Sequence, residues 1–306
     1  MTGISSVVFS YTLSQWFRRR LGLALGITLA GFGASGFGVP GIVYLLDLIG
    51  LRATFVTCGI TALVLGIILA YFLRNRPEDI GSTPDGLSES ETEPAPESFE
   101  SESPNTIAQS GDYTLREAVS TPAFWVLVYV GITFNISVMM VITHVMPYLE
   151  NVGYDRHLAS LVAMMIPVLS IVGRLGIGWA SDFGHRKALF IIGVTFQAVA
   201  VLLFIYARLS FLLIPFVILF GTTYGGNVVL RLIMVREYYG RAYVGSITGI
   251  FLGLTTVFSL FGPLLGGIIF DKTGSYDLAW IINGALLAIG VPLMLRMKNP
   301  LESRRK

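Results

Sequence analysis

Long apolar runs alternate with short polar breaks along most of this chain. Roughly, the runs cover 1–15, 21–46, 53–73, 118–149, 158–181, 188–207, 209–230, 242–270 and 278–295, the fifth being interrupted by Arg174. About 20 apolar residues carry a helix across the hydrocarbon core of a bilayer. Eight of the nine runs reach that length, and the first, Met1 to Ser14, is short and reads as a clipped helix. Backbone in lipid must satisfy its hydrogen bonds internally, so runs of this kind predict helices. The two-residue alternation of a membrane barrel is not visible. The pattern therefore predicts an all-α integral membrane protein.

One long hydrophilic segment, 74–117, divides the runs into three before it and six after it. From Ser82 to Asp112 it is rich in Ser, Pro and acidic residues and has no Lys or Arg. Such a composition cannot bury enough apolar surface to offset its ordering entropy, so it predicts a disordered tether. The expected organisation is a partial amino-terminal bundle over 1–73, an acidic linker over 74–117 and a complete six-helix bundle over 118–306.

The two sides of the linker echo each other. Arg18, Gly22, Gly26 and Pro40 recur as Arg241, Gly245, Gly249 and Pro263, and 241 − 18 and 263 − 40 are both 223. A repeat on that scale, in apolar spans, is the mark of a transporter built from two related halves. The second half begins near Ala118, so its counterpart would begin about 105 residues ahead of Met1. The repeat thus leads us to expect three further spans upstream. Both stretches are also Gly-rich: the run containing Gly22, Gly26, Gly31 and Gly36 holds seven glycines. Small residues let helices approach closely, for sliding or for static packing. Pro40 and Pro263, near matching helix ends, can bend their helices.

Composition agrees with a membrane protein: 54% of residues are apolar, 13% are charged and the mean hydropathy is +0.72, where soluble domains carry about a quarter charged residues. The net charge of +2 becomes informative only when mapped to sides. The connections after odd-numbered runs, with Arg174 and Arg231 near that side, hold 17 of the 21 basic residues; the alternate connections hold Arg52, Arg156, Arg208 and Lys272. The positive-inside rule then expects a cytoplasmic carboxyl terminus, in a plasma or inner membrane. Cys58, the one cysteine, lies in an apolar run and leaves no role for disulfides. No cleavable signal is evident at the start.

Several stretches carry a resemblance. They are Trp16-Phe17-Arg18-Arg19-Arg20 before the Gly-rich run, Phe124-Trp125 with His144 to Leu149, and Gly173-Arg174-Leu175 through Gly178 to Asp182. Further along come Glu237 to Arg241, Gly262-Pro263 and Asp271 to Tyr276. In this order they resemble the major facilitator superfamily, and within it the monocarboxylate-transporter-like branch that includes oxalate/formate antiporters. The resemblance implies a major-facilitator-type helical bundle with about nine transmembrane helices of an expected twelve, family helices four to twelve.

Gly178 to Lys187 is similar to the superfamily's cytoplasmic gate motif. A carboxylate such as Asp182 at a helix end, beside Arg186 and Lys187, can make charge-assisted bonds that hold one conformation and break in the other. Arg241 belongs to the same group of gating residues. Phe183 stands where the motif has Arg, which would weaken the latch. An ordinary solvated turn is the plain alternative.

Arg174 is the leading site candidate. It sits among apolar neighbours about two turns inside Asp182, and an ionised side chain there needs a cavity, a partner or the interface. The resemblance implies that it faces the central cavity and engages a substrate carboxylate, which a planar guanidinium suits. Snorkelling to the cytoplasmic face is the alternative. Ser170 stands where animal monocarboxylate carriers have Asp, and 244–270 lacks the Lys of the oxalate carrier, which favours a monoanion.

Asn135, His144, Tyr224 and Asn227 are weaker candidates. Tyr224 and Asn227 share a helix face at i and i+3, and polar groups there either line a cavity or tie helices together. His144 is read first as a structural histidine and second as a proton shuttle. Arg231, near Arg236, is read as snorkelling.

No phosphate-binding loop is present, which argues against ATP-driven transport. Scattered histidines argue against a membrane enzyme, and no cofactor, metal or nucleic-acid partner is called for. Beyond the bilayer, the expected partners are a small organic anion and a proton or counter-anion. The leading expectation is a secondary carrier for a monocarboxylate, by proton symport or anion exchange; the alternative is a non-transporting fragment or receptor-like relic.

Overall fold

A computed structural model describes residue 31 and residues 35–72, 112–181, 185–240 and 243–305. A short 3-10 turn, Ser35–Phe37, leads into α1 (Gly38–Phe72). Then follow α2 (Leu115–Ser120), α3 (Pro122–Asn151), α4 (Arg156–Ser181), α5 (Arg186–Ile205), α6 (Ser210–Tyr239), α7 (Val244–Ser259), α8 (Phe261–Thr273), α9 (Asp277–Arg296) and α10 (Pro300–Arg305). Among the described residues there is no strand, and seven helical stretches are long and apolar enough to cross a membrane, with α7 and α8 forming one of them. Run 1–15, half of run 21–46 and the acidic stretch up to 111 lie outside the described residues.

The chain divides into two compact units, one made of Met1–Phe32 and Gly41–Ser101, the other of Gly33–Pro40 and Glu102–Lys306. The described part of the first unit is the body of α1. It presents a largely exposed apolar surface, including Leu48, Phe55, Leu63 and Ile67, as a helix does when lipid or other helices are to cover it. Its regularity breaks at Gly50, where φ is 77° and ψ is 170°. That conformation is open to Gly and strained for any residue with a Cβ.

In the second unit α4 lies along α6, α6 along α5 and α5 along α9, while α3 packs against α7, α8 and α9. The buried side chains form two apolar clusters. One gathers Tyr148, Phe204, Phe216, Phe220, Tyr276 and Trp280. The other gathers Phe124, Phe190, Leu230, Tyr238, Tyr239 and Phe251. Aromatic edge and stacked contacts, such as Phe204 on Phe216 at 4.0 Å, knit the first cluster.

Proline explains where the helices depart from the apolar runs. Run 118–149 opens as two helices because Pro122 forces Thr121 into extended backbone, φ −84° and ψ 139°. Thr121 then caps α3, its Oγ1 accepting from the Phe124 amide at 3.3 Å. Run 242–270 breaks at Leu260. Pro263 has no N–H to give the Ser259 carbonyl, so the α7 ladder cannot continue unbroken into α8. Pro40 is likewise the third residue of α1, and the two helix starts, Gly38 and Phe261, are 223 apart (261 − 38). The repeat read in the sequence therefore extends to the places where the helices restart. By contrast α6 runs past residue 230 to Tyr239, carrying Arg231 and Arg236 inside it, and stops at Gly240 with φ 86°.

Candidate functional site

Two glycines bring α4 and α6 into backbone contact. A Cβ on Gly173 would run into the Thr222 carbonyl, and one on Gly225 into the Ser170 carbonyl. Each glycine adjoins a candidate side chain, Arg174 and Tyr224. The close approach of the helices sets the Arg174 guanidinium over the Tyr224 ring, 5.7 Å from its centroid, an attractive arrangement for a cation. Arg174 is half-buried. Its guanidinium supplies donors in a plane, the geometry that a carboxylate engages through two parallel hydrogen bonds. Ser170, one turn earlier, is fully buried beneath α6 and donates to the Pro167 carbonyl at 2.6 Å.

A second cation lies nearby. Arg231 is two turns along α6 from Tyr224, on the same helix face. Its Nη1 donates to Asn135 Oδ1 of α3 at 2.8 Å, and its guanidinium lies 5.3 Å from the Phe134 ring centroid. The snorkelling reading of Arg231 is thereby corrected: its head is tied to Asn135 of a neighbouring helix. Its Nε is buried and has no hydrogen-bond partner among the described residues.

Tyr224 and Asn227 part company. Tyr224 faces Arg174, whereas Asn227 is 1% exposed and donates through Nδ2 to Gln197 Oε1 of α5 at 3.1 Å. Asn227 thus ties two helices.

These polar groups share a level. On α4, Leu169 packs in the first apolar cluster and Ile177 in the second, with Arg174 between. On α6, Phe220 belongs to the first cluster, with Tyr224 and Val228 packed against it, and Leu230 belongs to the second. On α5, Val194 and Ala198 flank Gln197, and on α3 the change falls between Val130 and Phe134, beside Asn135. The interior of the second unit is therefore two apolar zones with a polar layer between them.

His144 lies away from this layer. It is 9% exposed, its Nε2 sits 2.9 Å from the Pro263 carbonyl, and its ring packs 5.2 Å from that of Tyr276. It joins α3 to the start of α8, which accounts for a buried histidine in structural terms.

At the other end of the bundle, basic side chains cap helix C-termini. Arg186 Nε donates to the Ser181 carbonyl at 3.1 Å, and its Nη1 approaches Glu237 Oε2 at 3.5 Å. Lys187 donates to the carbonyls of Met297 at 2.6 Å and Leu295 at 3.3 Å. A cavity of about 710 Å³ opens beside them, lined by Lys187, Glu237, Arg296 and Lys298 among others. Asp182 and Arg241, the other two gating candidates, lie outside the described residues.

The description of the Major Facilitator Superfamily matches this chain twice, over residues 1–182 and 145–306. The chain belongs to that superfamily. It is similar to monocarboxylate transporter 13 of Rattus norvegicus, 24% identical over 93% of this chain and 61% of the relative. It is similar to monocarboxylate transporter 12-B of Danio rerio, 28% identical over 47% of this chain and 31% of the relative. A bacterial likeness is the uncharacterized MFS-type transporter YhjX of Escherichia coli (strain K12), 24% identical over 74% of this chain and 52% of that protein. The chain thus spans less than two thirds of the length of these relatives. Within this multi-pass superfamily member, sequence reasoning missed Gln197 and the interior placing of Arg231. An amide inside run 188–207 was the available signal for the first. No local signal marked the second, since Asn135 is 96 residues away along the chain.

Proposed function

We propose that this chain acts as a secondary transporter of a small organic anion, a monocarboxylate, through alternating access with proton symport or anion exchange as the drive. The observation that carries the reading is the Arg174 guanidinium held over Tyr224 in the polar layer. An ionisable residue within a membrane span marks a functional site by default, and carriers of this architecture bind substrate between apolar zones of their helices. The names of the mammalian and fish relatives support the carboxylate class. The superfamily's rocking of two bundles supplies the mechanism, with 1–73 and 118–306 as the moving bodies, 74–117 as their tether and the capped helix ends at Arg186 and Lys187 on the cytoplasmic side as part of the latch. The carboxyl terminus is then cytoplasmic, following the distribution of basic residues.

The test is uptake of radiolabelled propionate by the protein in liposomes. We expect saturable uptake that Arg174→Ala reduces at least about 100-fold, as loss of a charge-assisted bidentate contact would. Unchanged uptake kinetics in that variant would remove Arg174 from the site.

A further inference from the structure

The polar layer contains more positive charge than one carboxylate can use. Between residues 122 and 296 the described acidic residues, Glu150, Asp155, Glu237, Asp271 and Asp277, all lie at or beside helix ends. Two arginines nevertheless sit inside the spans. Among the described residues Arg231 meets the neutral amide of Asn135 and the Phe134 ring face, and its Nε is buried without a hydrogen-bond partner there. One neutral hydrogen bond offsets only part of the cost of taking a guanidinium out of water. A structural tie between α3 and α6 would be made as well by a second amide, with no charge to desolvate. The charge therefore has a use that Asn135 does not exhaust.

We infer that Arg231 is a second anion contact of this site, and that the anion carries an acceptor group, a carboxylate in its strongest form, beyond the one held at Arg174. This rests on the proposed reading of Arg174 as a carboxylate site and replaces the monocarboxylate named there with an anion that carries a second acceptor at its far end. Asn135 acts as a positioning residue: by accepting from Nη1 it fixes the fork and leaves Nε for the ligand. Arg174 lies over the Tyr224 ring, and Arg231 follows Tyr224 by two turns on the same face of α6, so the tyrosine stands between the two ends of the ligand. Residues 244–270 hold no Lys or Arg; α6 supplies the second cation instead.

The experiment is calorimetric titration of the full chain in nanodiscs with succinate and with butyrate, two four-carbon acids that differ in the far end. Arg231→Gln is expected to weaken succinate by about tenfold or more and to leave butyrate within about twofold, while Arg174→Gln weakens both. If the Gln variant does not fold, as read by its thermal unfolding, Arg231→Lys carries the test. It keeps the charge but loses the fork, and succinate alone should weaken by severalfold. A loss equal for both acids, or for neither, with Arg174→Gln still abolishing both, overturns the role of Arg231 and leaves the carboxylate reading standing. No binding of either acid by the unaltered protein overturns both.

Discussion

Gly173 and Gly225 do the positioning that makes Arg174 and Tyr224 a pair. Each faces a backbone carbonyl of the opposite helix, and backbone cannot move aside as a flexible side chain can. Gly225→Ala is therefore expected to separate α4 from α6 and to lower stability by about 1–3 kcal/mol, the cost of overpacking. Denaturation of the purified protein checks this; a neutral result would mean that the helices are not in contact. The Asn227–Gln197 bond is a second test at this scale. Asn227→Leu leaves Gln197 buried and orphaned, at about 1–3 kcal/mol, whereas replacing both by Leu should recover much of the loss in a double-mutant cycle. Arg174 was legible in the sequence because a charge in an apolar run has few explanations. Arg231 was not, because its closeness to Arg236 along the helix mimics a snorkelling pair and only the fold brings α3 alongside.

Helix ends carry the next level of specification. Thr114 and Glu117 form a capping box at α2: Glu117 Oε2 accepts from the Thr114 amide at 2.9 Å, and Thr114 Oγ1 accepts from the Glu117 amide at 3.4 Å. Arg304 of α10 adds a fork, Nη2 to Oε1 at 3.0 Å and Nη1 to Oε2 at 3.4 Å, and also lies over the Tyr113 ring. The Thr114 amide first, then Arg304, hold the Glu117 carboxyl at about 2, below its ordinary 4.5. A depressed carboxylate contributes its stabilisation above pH 4.5 and loses it as the pH falls toward 2. The pair is 42% exposed on each side, so the contribution is local and salt-sensitive. Protection factors for amide exchange at Leu115–Ala118, taken relative to the intrinsic rate at each pH, should fall on acidification through that window, and at pH 7 in Glu117→Gln. Protection indifferent to both would show that the Glu117 carboxylate does not secure α2. On α1, Gly50→Ala should cost about 1–3 kcal/mol through its backbone alone, because nothing crowds the site. Gly59→Ala, equally uncrowded but helical, should be neutral or stabilising. The Thr121–Pro122 break was readable from the rule for residues before proline. Apolarity alone hid it, since the run of hydropathy passes through uninterrupted.

At the scale of the molecule, the offset of 223 joins sequence and structure: the helices containing Pro40 and Pro263 restart at matching residues. The helical class and most span boundaries followed from hydropathy, because lipid leaves the backbone few options. The polar layer did not, because its members come from α3, α4, α5 and α6 and meet only after the bundle has packed. Topology belongs to this scale as well. A thiol introduced at Ser303, beside the basic helix ends, should react with a membrane-impermeant reagent only after cells are permeabilised; labelling of intact cells would reverse the orientation. The most direct test of the central claim, that a carboxylate docks on Arg174 within the polar layer, is a crystal structure with 3-bromopropionate, locating the bromine by its anomalous signal. The account predicts the carboxylate against the Arg174 guanidinium with bromine beside Tyr224, and a guanidinium turned to the headgroups with no bromine in the layer would contradict it.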